Sequence, residues 1–265
     1  VLSVFMALSL SACSTNPFLK EWDTPYGIPP FDRIEESHYL PAVKAGIDQL
    51  RSEVKAITSN PEAPTFQNTI EAYDACGKIL DRVTSVLFNL DESDASPELD
   101  AIVEKAMPMV TAAMDEINFD ASLFARVKAV YEAPQDGLTR EQQMLLKDMY
   151  DGFVKSGIGL DAASQERLKE INAELSTLTL AFGNHLLAES NAYKAEIGAS
   201  VANYYDMISS ESDRAKREKM FRMYSMRGNN GNENDNKKTV LRLMELRIEK
   251  ARILGFQNPA QMILE

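Results

Sequence analysis

Imidazole, thiol and carboxylate groups are the side chains through which a chain of this kind would do metal or nucleophilic chemistry, and here they are sparse. His38 and His185 are the only histidines, and neither is followed by Glu. His185 and Glu189 stand four residues apart, which sets both on one face of a helix. Two donors fall short of the three protein ligands that a catalytic zinc takes, so a polar contact or surface ion pair is the reading for that pair. His38 precedes Tyr39 at a helix start, where a local polar contact is expected. Cys76 falls on an apolar helical stripe and reads as a small buried hydrophobe rather than a nucleophile. No Gly-x-Ser-x-Gly elbow occurs, and Trp22, the only tryptophan, reads as a packing residue. The chain therefore presents no catalytic and no metal-binding constellation of its own.

The remaining thiol, Cys13, has a different context. Residues 1 to 12 form a short uncharged run rich in Val, Leu, Phe and Met, too short to span a bilayer. The run ends Leu10-Ser11-Ala12-Cys13, which resembles the lipobox of bacterial lipoproteins, where small residues admit the signal peptidase and the Cys receives lipid. Cys13 is thus the candidate lipidation site, with residues 1–12 a signal-peptide remnant. The expected location is the bacterial cell envelope, periplasmic side, with membrane contact through the anchor. Lipidation of Cys13 would leave Cys76 without a disulfide partner.

The elements that must position any site are helical. The 265 residues carry 28 Lys and Arg against 40 Asp and Glu, a net charge of −12, which argues against nucleic acid as a partner. The stretch 212–252 is locally basic, with twelve basic and six acidic side chains, and reads as a solvated helix face laced with ion pairs. Residues 14 to 32 carry four prolines and read as an extended tether. Beyond them Leu40, Val43, Ile47, Leu50, Val54 and Ile57 recur in steps of three and four, the stripe of an amphipathic helix closed by Asn60-Pro61. Similar stripes predict helices from about Asn68 to Leu87, from Pro97 to about Ile117 with a kink at Pro108, over 121–132, after a Thr139/Gln142 capping box, from Asp161 to about Glu189 with a hairpin partner, over 201–226, and over 236–254 with a Gly255 cap. A short strand is allowed at Tyr193 to Ile197. The fold class is all-α, antiparallel helical hairpins and long helices with little or no β structure.

Several ordered segments carry a family resemblance: Asn16-Pro17-Phe18-Leu19, Pro29-Pro30-Phe31-Asp32 with Ile34, His38-Tyr39, Pro41-Ala42, then Pro64-Thr65-Phe66 with Asn68-Thr69. Later come Arg217-Glu218-Lys219, Tyr224, Arg227-Gly228, Asp235-Asn236, Leu246-Arg247, Ala251 and Leu254-Gly255-Phe256. Together they resemble the N-terminal part of the thimet oligopeptidase, oligopeptidase A and peptidyl-dipeptidase family of zinc metallopeptidases. The resemblance implies hydrolysis of short peptides by one zinc held on an H-E-x-x-H helix and a further Glu, a motif that residues 1–265 lack. It implies that this part forms a wall of a channel admitting short peptides, and that the chain alone is an inactive fragment. The family usually carries several tens more residues, partly β, between the equivalents of Ile197 and Ser212. The resulting organisation is a tether over 13–34, a helical domain over 35–197, and over 198–265 the start of the region leading into a catalytic domain. The alternative is a non-catalytic helical lipoprotein that binds peptides or a protein partner.

Overall fold

The computed structural model describes residues 16–94 and 96–264, so the Cys13 lipidation site and the signal-peptide remnant lie outside the described residues. All regular structure among the described residues is helical. The chain divides into two compact units, one ending at Lys169 and the other starting at Glu170.

The first unit opens with two of the resemblance segments meeting. Asn16 caps the short 3-10 turn Pro17–Leu19 by accepting from the Phe18 N–H at 3.1 Å, and its Nδ2 donates to the His38 carbonyl at 2.8 Å. Phe18 is fully buried with its ring 5.1 Å from that of Tyr39. Helix α1 (Glu36–Thr58) starts in a capping box, in which the Glu35 side chain caps and the Glu35 N–H donates to His38 Nδ1 at 3.0 Å. The expected stripe is its buried face: Val43, Ile47, Leu50, Val54 and Ile57.

After α1 the chain does not enter a straight helix. Phe66–Glu71 is a π-helical turn and Ala72–Asp74 a single α turn. The chain then breaks at Gly77, whose φ is +78°, before α2 (Lys78–Ser93). A left-handed residue ends one helix and lets the next start in a new direction, a break that side-chain periodicity does not register. The Glu53 carboxylate accepts from the Gly77 N–H at 2.7 Å and fixes the break against α1.

Helix α1 packs on α2 and on α3 (Pro97–Asn118). The α1–α2 approach is close at Gly46, where a Cβ would sit 2.7 Å from the Leu80 backbone nitrogen. Ser96 caps α3 by accepting from Leu99, Pro97 occupies the first turn, and Pro108 lies inside the helix. Helix α4 (Ala121–Glu132) is capped by Asp120, and α5 (Arg140–Ser156) by the predicted Thr139/Gln142 box. Those two helices pack together, with Tyr131 and Tyr150 stacked at 4.0 Å.

The Pro64-Thr65-Phe66/Asn68-Thr69 signature is a structural joint. Thr65 and Asn68 form a reciprocal cap, Asn68 Oδ1 accepts from Arg126 of α4 at 3.1 Å, and Arg126 also donates to the carbonyls of Asn60 and Glu62. One buried guanidinium thereby satisfies three acceptors in the connection that follows α1.

Helix α6 (Ala162–Ile197) contains the unit division. It runs unbroken through Tyr193–Ile197, so the short strand allowed there does not form: the helix ladder continues, and the Tyr193 ring is buried. The helix expected over 201–226 is three pieces, a 3-10 turn at Val201–Asn203, α7 (Tyr204–Ser210) and α8 (Arg214–Ser225). The break comes at Asp213, whose carboxylate caps α8, while Arg217 donates to the carbonyls of Glu211 and Ser212. Helices α9 (Lys237–Ile253) and α10 (Pro259–Leu264) follow, with Gly255 at φ +87° after α9.

Among the described residues no helix directly following α6 is shown to pair with it as a hairpin; within the second unit α9 is tied to α6 by polar contacts. Arg242 donates twice to Glu174, at 2.6 and 2.8 Å, and Lys250 to Asn172 at 2.7 Å. The basic stretch is laced with ion pairs as its spacing suggests, including Arg222–Glu218, Lys219–Glu196 and Lys237–Asp235.

Candidate functional site

The singled-out pair His185 and Glu189 does share one face of α6, and both side chains hold the Gly- and Asn-rich loop between α8 and α9. Glu189 is buried. Its Oε1 accepts from Asn232 Nδ2 at 2.7 Å, and its Oε2 from Asn230 Nδ2 and from the Gly228 N–H at 3.3 Å. Three N–H donors on one buried carboxylate compensate the desolvation that burial would otherwise impose.

His185 Nδ1 lies 2.8 Å from Asn236 Oδ1. Asn236 Nδ2 donates to the Phe182 carbonyl at 3.1 Å, which leaves Oδ1 as the acceptor and places the His185 proton on Nδ1. Asn236 also donates its backbone N–H to the Gly228 carbonyl at 2.7 Å, closing the base of the loop. Gly228 is required twice: its φ is +70°, and a Cβ there would press on Asn236 and Leu186 at 3.2 to 3.4 Å.

The flanks are fixed as firmly. Arg227 donates to the Tyr224 carbonyl and to Ser190 Oγ, each at 3.0 Å, and lies over the Tyr224 ring at 4.4 Å. Asp235 accepts from Lys237 Nζ and from the N–H groups of Lys237 and Gly231, which hold its carboxyl down to about 2. An apolar cluster of Tyr193, Tyr204 and Met220 packs nearby, with Tyr204 and Tyr224 stacked at 3.8 Å. The Tyr193 hydroxyl is buried without a hydrogen-bond partner. Thus Tyr224, Arg227-Gly228 and Asp235-Asn236 of the resemblance form one loop clamp.

Against the clamp lies a groove of about 570 Å³, walled by Glu189, Asn230, Asn232, Asn234, Met223 and Met226. Amide side chains offer both donors and acceptors to a peptide backbone, and methionines give an adaptable apolar surface.

The donor set does not suit zinc. Glu189 has both oxygens engaged by amide N–H groups, and His38 Nδ1 accepts the Glu35 N–H; His185, with its proton on Nδ1, offers only its Nε2 lone pair, one donor where a catalytic zinc takes three protein ligands. Among the described residues, no three His, Cys, Asp or Glu side chains are grouped so as to hold a metal. Cys76 donates to the Ala72 carbonyl at 3.1 Å. Burial, reinforced by the charge of Glu53, pushes its thiol up to about 11, away from nucleophile character. Trp22 packs beside Phe18 with its Nε1 donating to the Pro17 carbonyl.

No family model matches the chain. Among characterised proteins, dipeptidyl carboxypeptidase of Salmonella typhimurium is 32% identical over 280 residues, covering 93% of this chain and 41% of that protein. The dipeptidyl carboxypeptidase of Escherichia coli is also 32% identical, over 92% of this chain and 41% of its own length. Oligopeptidase A of Escherichia coli is 26% identical over 286 residues, with 93% and 41% covered. The chain spans about two fifths of the length of these relatives. The aligned stretches are longer than the 265 residues of the chain, so the relatives carry segments that it lacks.

Proposed function

We propose, from the premise that the chain is homologous to the dipeptidyl carboxypeptidases and oligopeptidases A over 93% of its length, that it is the substrate-channel wall of a zinc-dependent peptidase acting on short peptides. Zinc and the groups that activate water lie outside residues 1–265 on this reading, and the isolated chain shapes and selects without cleaving. The observation that carries it is the 32% identity to a dipeptidyl carboxypeptidase over 93% of this chain, which spans 41% of that relative's length. A helical wall contributes by excluding bulky substrates and binding remote parts of the peptide, while bond cleavage requires groups supplied elsewhere.

The test is to read and express the natural frame beyond Glu265. The proposal requires an H-E-x-x-H helix with a further Glu ligand, and chelator-sensitive cleavage of quenched oligopeptides that substitution of the first of those histidines abolishes. A frame that ends without paired imidazoles would refute the peptidase reading.

The envelope location is a second part of the proposal and rests on the Leu10-Ser11-Ala12-Cys13 pattern alone. On this reading attachment is through lipid at Cys13; separately, no described helix is long and apolar enough to cross a membrane. Metabolic labelling with a fatty acid should mark the wild-type chain and not Cys13→Ala; equal labelling, or membrane partition of the variant, would refute it.

A further inference from the structure

The first unit contains a groove of about 600 Å³ that the peptidase reading does not use, and its two walls differ in chemistry. One wall, from the Pro-rich segment, is apolar: Trp22, Pro29 and Phe31, the last 53% exposed. The other is a polar stripe of α2 on which Lys78, Arg82, Ser85 and Asn89 follow one another at helical spacing.

The two cations are held differently. Arg82 is fixed, because its Nη1 donates to the Phe18 carbonyl at 2.9 Å and its guanidinium lies 5.5 Å over the Trp22 ring. Lys78 is exposed on the first turn of α2, where its ammonium can adapt to an incoming group. A preset guanidinium beside an adaptable ammonium suits a carboxylate. Asp81 also lines the groove, so a doubly charged phosphate is repelled more strongly than a singly charged carboxylate. Ser85 and Asn89 each combine donor and acceptor, which matches the alternating N–H and C=O of an extended peptide. From Arg82 to Asn89 the helix rises about 10 Å, the length of about three extended residues.

We propose that this groove binds the free carboxyl end of a short peptide whose last side chain is apolar, the carboxylate at Lys78 and Arg82 and the terminal side chain against Trp22 and Phe31. The inference rests on the groove's own residues and stands whether or not the chain completes a zinc peptidase.

Trp22 is the chain's only tryptophan, so its emission reports this groove alone. The whole chain is titrated with N-acetyl-Ala-Ala-Phe as the free acid, with the same tripeptide as its amide, and with inorganic phosphate. The expected result is a saturable change with the acid, binding of the amide weaker by about tenfold, and phosphate neither shifting emission nor competing. Lys78→Glu, exposed and outside the core, should weaken the acid by about tenfold and leave the amide unchanged, with the helical circular dichroism preserved. Asn89→Ala should weaken acid and amide alike. Equal affinity for acid and amide, phosphate competition matching the acid, or no saturable change in emission would each overturn the proposal.

Discussion

Replacing Glu189 by Gln tests the loop clamp directly, because the shape is kept while the charge is removed. The carboxylate accepts three N–H groups, from Gly228, Asn230 and Asn232. A hydrogen bond to a charged acceptor contributes about 1.5–3 kcal/mol net against about 0.5–1.5 for a neutral one, so each contact loses about 1 kcal/mol. Gln also turns an NH₂ group toward one of the donors. The summed loss of loop closure is about 2–4 kcal/mol, which raises the open fraction by roughly 30- to 1,000-fold. Amide exchange followed by mass spectrometry should show the 228–236 peptides losing protection by that factor, with α1 to α3 unchanged. Unchanged exchange at 228–236 in Glu189→Gln would refute the clamp, and so would loss of protection spread evenly over both units.

Other substitutions probe the frame around it. Gly46→Ala would place a Cβ 2.7 Å from the Leu80 backbone, which cannot rotate away, and should cost about 1–3 kcal/mol in urea unfolding; Gly152→Ala in α5 meets nothing within 4 Å and should gain about 0.5–1 kcal/mol. Like signs for the two would contradict the packing described. Tyr193→Phe removes a buried hydroxyl that lacks a partner and should be neutral or stabilising by up to about 1 kcal/mol, a thermal melt being sufficient to check it. The Cys76 thiol is raised from 9.0 to about 11. Its stabilising contribution is therefore complete below pH 9 and lost as pH rises through 11, and Cys76→Ala should flatten that part of the stability profile. Cys76 is half-buried, and an identical alkaline slope in the variant would count against a thiol raised by partial burial.

Much of the helical frame is legible in residue spacing, because the three-and-four stripe of α1 is set by what must leave water. The misses share a cause: a break in a helix is a backbone event. Gly77 stops the chain between stripes that remain in phase by side-chain type, and Asp213 starts α8 inside a run that composition alone keeps helical. Tyr193–Ile197 has an aromatic and β-branched flavour that the continuing ladder of α6 overrides. At the candidate site, the common face of His185 and Glu189 follows from sequence. Their partners do not, since Asn230, Asn232 and Asn236 arrive across some forty to fifty residues by loop closure. The alternation of Asn at 230, 232, 234 and 236 is the one local signal that an acceptor is waiting for that loop.

The proposed role requires that residues 1–265 carry no reacting groups of their own. Residues 16–264, refolded with zinc and given a quenched decapeptide with and without chelator, should release no chelator-sensitive fluorescence above the buffer rate. Sustained zinc-dependent turnover by that chain alone, abolished in His185→Ala, would place a metal centre where a loop clamp is described here and would contradict the account.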